Sequence, residues 1–528
     1  MLEVLVVGAG PVGLALACEL VRHGIRPRII EAHLAPLPFC RAIGVTSRTL
    51  EVYEDMGVAR QMIDAGLWLT ATRLAVTGQP VRDLATDLSD LPYAALGVPQ
   101  GETERVLAEH LSRFGITVER GVRLTSLTQE GGIVRADLEG PGGAEVAHTR
   151  YVVGCDGAHS SVRHLLDIPF EGEAWPYPFM LGDVRLDWPE GEELPRGVAL
   201  RAIRPLEDQA PDMFIAIPLP EHGRYRVSML ESETPVAPGE GVAHGIQSEQ
   251  AGPSLADIQQ VADRVLARPP VVSDLRWSSR FRISMRLAVR YREGQVFIAG
   301  DACHIHPPTG GQGMNTGIQD AYNLAWKLAL VLKGRAAPTL LDSYEAERQP
   351  VAEGVIAQTI KESMAIDRPK APDRLAHTQM RVSYRGTPAV APVTGDATLQ
   401  PGDRMPDLAG LKRRGVGFPL RLFDLLKGPE HVLLAPVGMA EDLAPLEAEA
   451  AALGDRLPFR LIALAPADSA LPDPFGVTLV EDTESAYRTM AGCAAILVRP
   501  DGYIAWRGAP SDAAGRATFL ESVLGRIG

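Results

Sequence analysis

Cysteine is scarce in this chain, and its placement excludes more than its number does. Five cysteines (Cys18, Cys40, Cys155, Cys303 and Cys493) are scattered through 528 residues, odd in number and never spaced as CxxC. That distribution argues against a disulfide framework or a zinc ribbon and fits a reducing, cytoplasmic setting. An uninterrupted apolar run of about 18 residues is also missing, so no membrane-spanning segment is expected. Positive charge is in deficit: 52 Lys and Arg stand against 66 Asp and Glu, a net −14, which disfavours general affinity for the nucleic-acid backbone. No secretory leader is expected either, because Leu2-Glu3-Val4-Leu5-Val6-Val7 runs into glycines without a basic start or a small-residue cleavage site. What remains is 46% hydrophobic and 22% charged, the composition of a globular protein with a sizeable core. Its length calls for two or three domains.

The first 33 residues read as one strand–helix–strand unit. Val4 to Val7 is a short β-branched run suited to a buried parallel strand. Gly8, Gly10 and Gly13 follow as GxGxxG, with Pro11 and Val12 inside the motif. Leu14, Ala17, Leu20 and Val21 then recur at helical spacing. A second strand, Pro27 to Ile30, ends in Glu31-Ala32. Such glycines let the backbone turn tightly and approach a pyrophosphate at a helix N-terminus. Glu31 stands where a carboxylate would accept from a ribose 2′-OH. The pattern predicts dinucleotide binding without separating FAD from NAD; a 2′-phosphate would be repelled by Glu31.

A second glycine-rich loop, "GDACHIHPPTGGQGMNTGIQDAYNLAWKL" from Gly300, follows another short strand, Val296 to Ala299. Asp301 at that strand's end is placed to bind a polyol hydroxyl. Ile318, Ala321, Leu324, Ala325, Leu328 and Leu332 predict a helix from Met314, so Gly310, Gly311 and Gly313 precede its N-terminus. That end carries free N–H groups and a partial positive charge of about half a unit, which suits an anion. A metal site is not expected: His304 and His306 alternate, so in an extended segment they face opposite sides, and no further ligand pair is near. Cys303 reads as a small packed residue, whereas His304 is open to either a structural or an active-site role.

With "CDGAHSSVR" (Asp156-Gly157, Ser160, Arg163) between them, these two motifs make the chain resemble the single-component FAD-dependent aromatic hydroxylases, of which 4-hydroxybenzoate hydroxylase and phenol hydroxylase are members. Within that family it is most similar to the polyketide, rifamycin and hydroxyphenylpropionate hydroxylases, with Cys303 where alanine is usual. The resemblance is strong over residues 1–365 and weaker beyond. It implies an α/β multidomain fold: a Rossmann-like FAD-binding domain (1–170 and 285–365), an inserted antiparallel-sheet substrate domain (171–284), a helix and linker (366–397) and a thioredoxin-like domain (398–528). It implies FAD as cofactor and NAD(P)H, O2 and a small aromatic compound as partners, with hydroxylation through a flavin C4a hydroperoxide. Carried over, Glu31 resembles the adenosine-ribose ligand, Arg41 a pyrophosphate partner and Gln100 a residue reaching the ribityl or pyrophosphate region. Leu124 would offer backbone contacts beside the adenine, Asp301 would hold the ribityl chain, and Pro308 would lie beside the flavin. Gly313, Met314 and Asn315 would surround its pyrimidine edge. Asp156 and Arg163 are tied in the family to both FAD and NADPH.

Between Asp167 and Ser284, "PFMLGDVRLDW", "MFIAIPLP" and "RYRVSML" read as strands, and "SLADIQQVADRVL" as a helix capped by Ser254 and Asp257. No catalytic residue stands out there; Trp68, Phe179, Arg201 and Met213 are candidates for lining a pocket. Beyond 398, strands such as "HVLLAP" and "FRLIALAP" alternate with helical stretches, and Pro500-Asp501-Gly502 reads as a hairpin turn. Without CxxC this domain is expected to be structural or to support an oligomer such as a homodimer. Two rival readings are another reaction on the same fold and a non-catalytic nucleotide-binding protein. The first could be a reductase or a halogenase, but the WxWxIP halogenase signature is absent, since "RWSSRF" has one tryptophan.

Overall fold

The computed structural model describes residues 1–36, 42–207, 211–230, 252–307, 309–364 and 373–525. They form two compact units, Met1–Cys18 with Arg26–Ala321 and Gln349–Gln379, and Glu19–Ile25 with Tyr322–Arg348 and Met380–Gly528. The fold class is mixed α/β, with a Rossmann-like sheet first in the chain.

In that sheet the strand Leu2–Val7 lies between Gly143–Gly154 and Arg28–Glu31, and Val296–Ile298 and Glu119–Arg120 extend it on either side. All of these pairings are parallel. Val4, Leu5 and Val6 have no exposed surface, as expected of a strand covered on both faces. Register fixes the functional edge: Val7 pairs with Ile30 and Gly154, and Gly154 with Ile298. Gly8, Glu31, Asp156 and Asp301 therefore all leave the sheet at one carboxyl edge, where open α/β sheets bind ligands. The helix Pro11–Arg22 starts directly from the first turn.

An eight-stranded sheet is built on two 18-residue strands, Phe170–Asp187 and Val271–Ala288, with Val198–Arg204, Asp212–Pro218 and Arg224–Leu230 beside them. The helix Leu255–Val265 begins with the expected reciprocal cap between Ser254 and Asp257. It buries Ile258, Val261 and Ala262 against Leu200, Ala202, Phe214, Ala216, Val227 and Met229. Alternation then puts Arg201, Met213, Ile215 and Ile217 on the other face, where Ile217 packs on Ile43 and Leu219. Two strands come from far upstream: Ala71–Val76 pairs in parallel with Val198–Arg204, and Arg82–Ala85 closes that edge. His304–Ile305 pairs with Arg286 and Leu287, tying the sheet to the second glycine loop.

The second unit holds a six-stranded sheet in the order Leu411–Lys412, Thr478–Asp482, Phe459–Pro466, His431–Pro436, Ala495–Val498, Ile504–Gly508. The three strands from Thr478–Asp482 to His431–Pro436 run parallel and the last two antiparallel, a thioredoxin-like arrangement. Gly502, at φ +79°, forms the hairpin turn before Ile504–Gly508. Inside this unit Glu347 accepts from Arg499 (2.6 and 2.9 Å), Lys327 (2.8 Å) and Asn323 (2.6 Å). Asp501 accepts from Arg499 and from the Trp326 indole at 3.2 Å. The four charged side chains are at most 1% exposed, and their charges cancel.

Candidate functional site

The three glycines of the first motif do different work. A methyl on Gly13 would lie inside the van der Waals surface of the Gly8 carbonyl oxygen, and one on Gly8, at φ +101°, would come within 2.5 Å of the Cys155 carbonyl oxygen. Both glycines let the first strand, the helix and the Cys155 turn close on one another. Gly10 is different: nothing lies within 4 Å of the place its methyl would take. The backbone there borders open space beside a helix N-terminus, as a pyrophosphate requires. Pro11 opens the helix at a position where a missing N–H costs nothing.

Glu31 ends its strand next to this turn. Its carboxylate accepts from Ala9 N–H (2.9 Å), His33 N–H (3.0 Å) and the His33 Nδ1 (2.7 Å). Burial pushes this carboxyl upward, but the two N–H groups and the imidazole outweigh it and hold it below its ordinary value. The carboxylate is thus fixed and ionised, with lone pairs left for a hydroxyl. Ala32 follows at the strand's end. Leu124 is buried in the strand Arg123–Glu130, just past Val122, whose N–H donates to the Glu31 carbonyl (3.0 Å).

Asp156 leaves the same edge one strand away. Its Oδ2 accepts from Val162 N–H at 3.2 Å, while Oδ1 is buried without a partner among the described residues. Burial raises its pKa. Arg163 is buried, donates to the Ala302 and Ala158 carbonyls and covers Phe170 at 4.0 Å, so it locks the two loops together. Gln100 starts the helix Gln100–Ser112, accepts from Ala42 N–H (3.1 Å) and donates to Glu104 (2.8 Å).

In the second loop Gly300 turns at φ +64° against Val12, and Asp301 follows half-buried. The helix Gly313–Leu332 passes so close that a methyl on Gly317 would come within 2.9 Å of the Gly300 Cα. Its first ladder bond is Thr316 N–H to the Gln312 carbonyl (2.9 Å), so the N–H groups of Gly313, Met314 and Asn315 precede the ladder. The Asn315 side chain is spent on structure. Its Oδ1 accepts from Thr46 N–H (3.0 Å), and its Nδ2 donates to the carbonyls of Gly44 (2.8 Å) and Gly311 (2.7 Å). Only its backbone is left to meet a ligand. Arg41 and Pro308 lie outside the described residues.

The two histidines part company. His304 is fully buried against Asp320 (2.7 Å), whose Oδ2 also accepts from Gly300 N–H (3.1 Å); it braces the turn. His306 is held by the Pro307 carbonyl at Nδ1 (2.8 Å), which leaves the lone pair on Nε2. That nitrogen is buried without a partner among the described residues, 3.4 Å from the place of a Gly313 methyl. Burial draws the imidazole down to about 4, so it is a neutral acceptor near pH 7.

Sequence reasoning missed the segment that covers this loop. Gln379, at φ +59°, donates to Thr316 Oγ1 (2.9 Å) and accepts from Gln319 (2.5 Å), and Arg48 N–H donates to the Thr378 carbonyl (3.2 Å). These bonds seat His377 over Gly310: a methyl on that glycine would fall 2.8 Å from His377 Cδ2. His377 Nε2 meets both oxygens of Glu362 (3.0 and 2.9 Å). No motif or spacing announced a pairing of residues with such distant loops.

An open Gly10 cradle, a fixed ribose-height carboxylate, a helix N-terminus with free N–H groups and two orphaned buried polar atoms, Asp156 Oδ1 and His306 Nε2, fit a flavin dinucleotide laid along one sheet edge. The geometry is that of a dinucleotide-binding flavoprotein. Residues 1–359 match the family described as FAD binding domain and residues 398–527 the family described as aromatic-ring hydroxylase, C-terminal, so the chain belongs to the FAD-binding aromatic-ring monooxygenases. Among its relatives is the 12-dehydrotetracycline 5-monooxygenase/anhydrotetracycline 6-monooxygenase of Streptomyces rimosus, 35% identical and aligned over 96% of this chain and 95% of that protein. A rifampicin monooxygenase of Streptomyces venezuelae is 39% identical over 68% of this chain and 70% of its own. Similar solved structures include the anhydrotetracycline hydroxylase of Streptomyces rimosus (TM-score 0.77, 32% identity) and a ternary complex of aklavinone-11 hydroxylase with FAD and aklavinone (TM-score 0.77, 28% identity). Each alignment covers 99% of both chains. No helix among the described residues is long and apolar enough to cross a membrane.

Proposed function

We propose that this enzyme uses NAD(P)H and O2 to hydroxylate an activated, polycyclic polyketide-like phenol. The observation that carries the reading is the shared carboxyl edge, where Gly10, Glu31, Asp156 and Asp301 line up with the N-terminus of Gly313–Leu332. The anhydrotetracycline, rifampicin and aklavinone named for its relatives support the substrate class. When bound, FAD would take electrons from NAD(P)H and activate O2; the chain's residues bind, orient and exclude water.

In this reading Glu31 and Ala32 hold the adenosine ribose, with Leu124 beside the adenine. Gly8, Gly10, Pro11, Val12 and Gly13 shape the pyrophosphate turn, assisted by Arg41. Gln100 and Asp301 serve the ribityl region, and Asp156 braces the same edge. The N–H groups of Gly313, Met314 and Asn315 face the pyrimidine edge, with Pro308 beside the ring. A negative charge developing there would be stabilised by about 1–4 kcal/mol. The antiparallel sheet (171–284) would cover the aromatic substrate, and the thioredoxin-like domain (398–528), without CxxC, would be structural or support a homodimer. A cytoplasmic location follows the same reading.

The test is NADH and NADPH oxidation by the purified protein, with hydrogen peroxide measured alongside, in the presence of anhydrotetracycline, aklavinone, rifampicin or simple phenols. One compound should accelerate oxidation many-fold and gain one oxygen without matching peroxide. A protein that neither carries nor takes up FAD refutes the reading.

A further inference from the structure

The pair His377–Glu362 is not among the residues assigned to the dinucleotide, yet it stands over the loop that would hold it. Glu362 belongs to the helix Asp342–Met364, and its carboxylate also accepts from Gln358 (3.0 Å). A carboxylate can only accept, so the imidazole proton sits on Nε2 and the lone pair is on Nδ1. Nδ1 has no partner among the described residues, and the ring is 41% exposed on its side chain. Arg201, largely withdrawn from solvent, feels the charge of Glu362. It lies on the sheet face that carries Ile215 and Ile217, away from the helix-packed core. On the other side the geometry is direct: His377 Nε2 meets the Glu362 carboxylate, and the ring rests against Gly310.

This pairing places a basic nitrogen beside the glycine loop. The bonds from Gln379 and Thr378 already described fix its backbone, and Gln358 fixes Ala376 by donating to its carbonyl (3.2 Å). The charged groups near the imidazole are Glu362 from its helix and, on its own segment, Arg374, which pairs with the distant Asp90 (2.6 Å); the charge of Glu362 also acts on Arg201 of the sheet. The ring is only partly covered, and its second nitrogen meets none of the described residues.

We propose that His377, oriented by Glu362, is the substrate-facing base that takes the proton of a phenolic or enolic hydroxyl. The O–H bond breaks, an N–H bond forms on Nδ1, and the oxygen keeps the electron pair that activates the ring for attack on electrophilic oxygen. Glu362 stabilises the imidazolium, and the half-exposed ring then releases its proton to water. The inference rests on the hydroxylase reading above.

The test uses the FAD-loaded full chain as wild type, H377N, H377Q and E362Q, with anhydrotetracycline, aklavinone and rifampicin as probes. FAD content and thermal midpoint check folding. The pH profile of substrate-dependent oxygen insertion is the deciding readout, because a merely structural residue would not move it. Removal of a positioned base should lower kcat at neutral pH about 100-fold. Activity of H377N should return as pH approaches the ionisation of the free phenol, and E362Q should fall between wild type and H377N. Variants that keep the wild-type pH profile and kcat overturn this proposal alone. If the FAD-loaded wild type inserts oxygen into none of the probes, the hydroxylase reading for this substrate class falls and takes the proposal with it.

Discussion

Replacing Gly10 and Gly13 in parallel separates packing from ligand contact within one motif. At Gly13 an alanine methyl meets the Gly8 carbonyl oxygen, the Gly8 carbonyl carbon at 3.1 Å and Cys155 Cβ at 3.2 Å. Neither backbone can retreat without parting strand from helix, so Gly13→Ala should destabilise the protein by about 1–3 kcal/mol even without cofactor. At Gly10 the methyl meets nothing within 4 Å. Gly10→Ala should leave the stability of the flavin-free protein within roughly 0.5 kcal/mol of wild type. If the pyrophosphate uses that space, FAD affinity should drop at least tenfold, about 1.4 kcal/mol. The gain in thermal stability on adding FAD should shrink by the same amount. Thermal midpoints with and without FAD, and FAD titration by flavin fluorescence, read both quantities. A Gly10→Ala protein that binds FAD as wild type does, or that loses flavin-free stability as Gly13→Ala does, refutes the assignment of the open cradle.

Further outcomes follow from buried groups. Asn315→Ala leaves Thr46 N–H and the Gly44 and Gly311 carbonyls unpaired, and should cost about 1–3 kcal/mol per stranded group in denaturant or thermal unfolding. Glu347→Gln leaves Arg499 and Lys327 with one buried anion fewer and should cost about 3–5 kcal/mol. Burial pushes the Glu347 carboxyl up, but Arg499 and Lys327 outweigh it and hold the pKa far below the ordinary 4.5. Its contribution is therefore present above pH 4.5 and lost as pH falls below it, a loss that Glu347→Gln should not show. His431, buried in the second unit, is drawn by that burial to about 3 from an ordinary 6.5. Between those values the unfolded chain binds a proton the folded one refuses, so stability should decline as pH falls from 6.5. His431→Phe should flatten the decline in thermal midpoint between pH 7 and pH 5, and an unchanged slope contradicts the argument.

What was legible in the sequence was whatever a short window can encode. The strand, GxGxxG and Glu31 sit within one continuous unit, and each glycine's spacing already implies a turn. The Ser254–Asp257 cap and the apolar stripe behind it are likewise local. The strands Ala71–Val76 and Arg82–Ala85 were not legible as parts of the large sheet, because parallel addition to Val198–Arg204 spans more than a hundred residues and leaves no periodic trace. His304 was ambiguous because its decision rests on Asp320, a residue the helical pattern presents as one more polar position. His377, Glu362 and Gln379 were invisible for the same reason: their meaning lies in what stands opposite them. Buried charge was missed too, since Lys327 and Glu347 look in sequence like ordinary solvated helix residues.

The cluster around Glu347 sets an order in time as the chain is made. Lys327, Asn323 and Glu347 leave the ribosome 152 to 178 residues before the Arg499 and Asp501 groups that balance and cap them. Until the hairpin at 499–503 is synthesised, Glu347 lacks its strongest partner and Trp326 has no acceptor for its indole N–H. The residues 322–348 therefore have little reason to settle early, even though they belong to the stretch that follows the second glycine loop. A nascent chain halted before residue 499 should hold this region open to protease and to chaperones. Release past the final strand Ile504–Gly508 should close it in one step, so the quality of the finished enzyme is checked only when its last sheet has been completed.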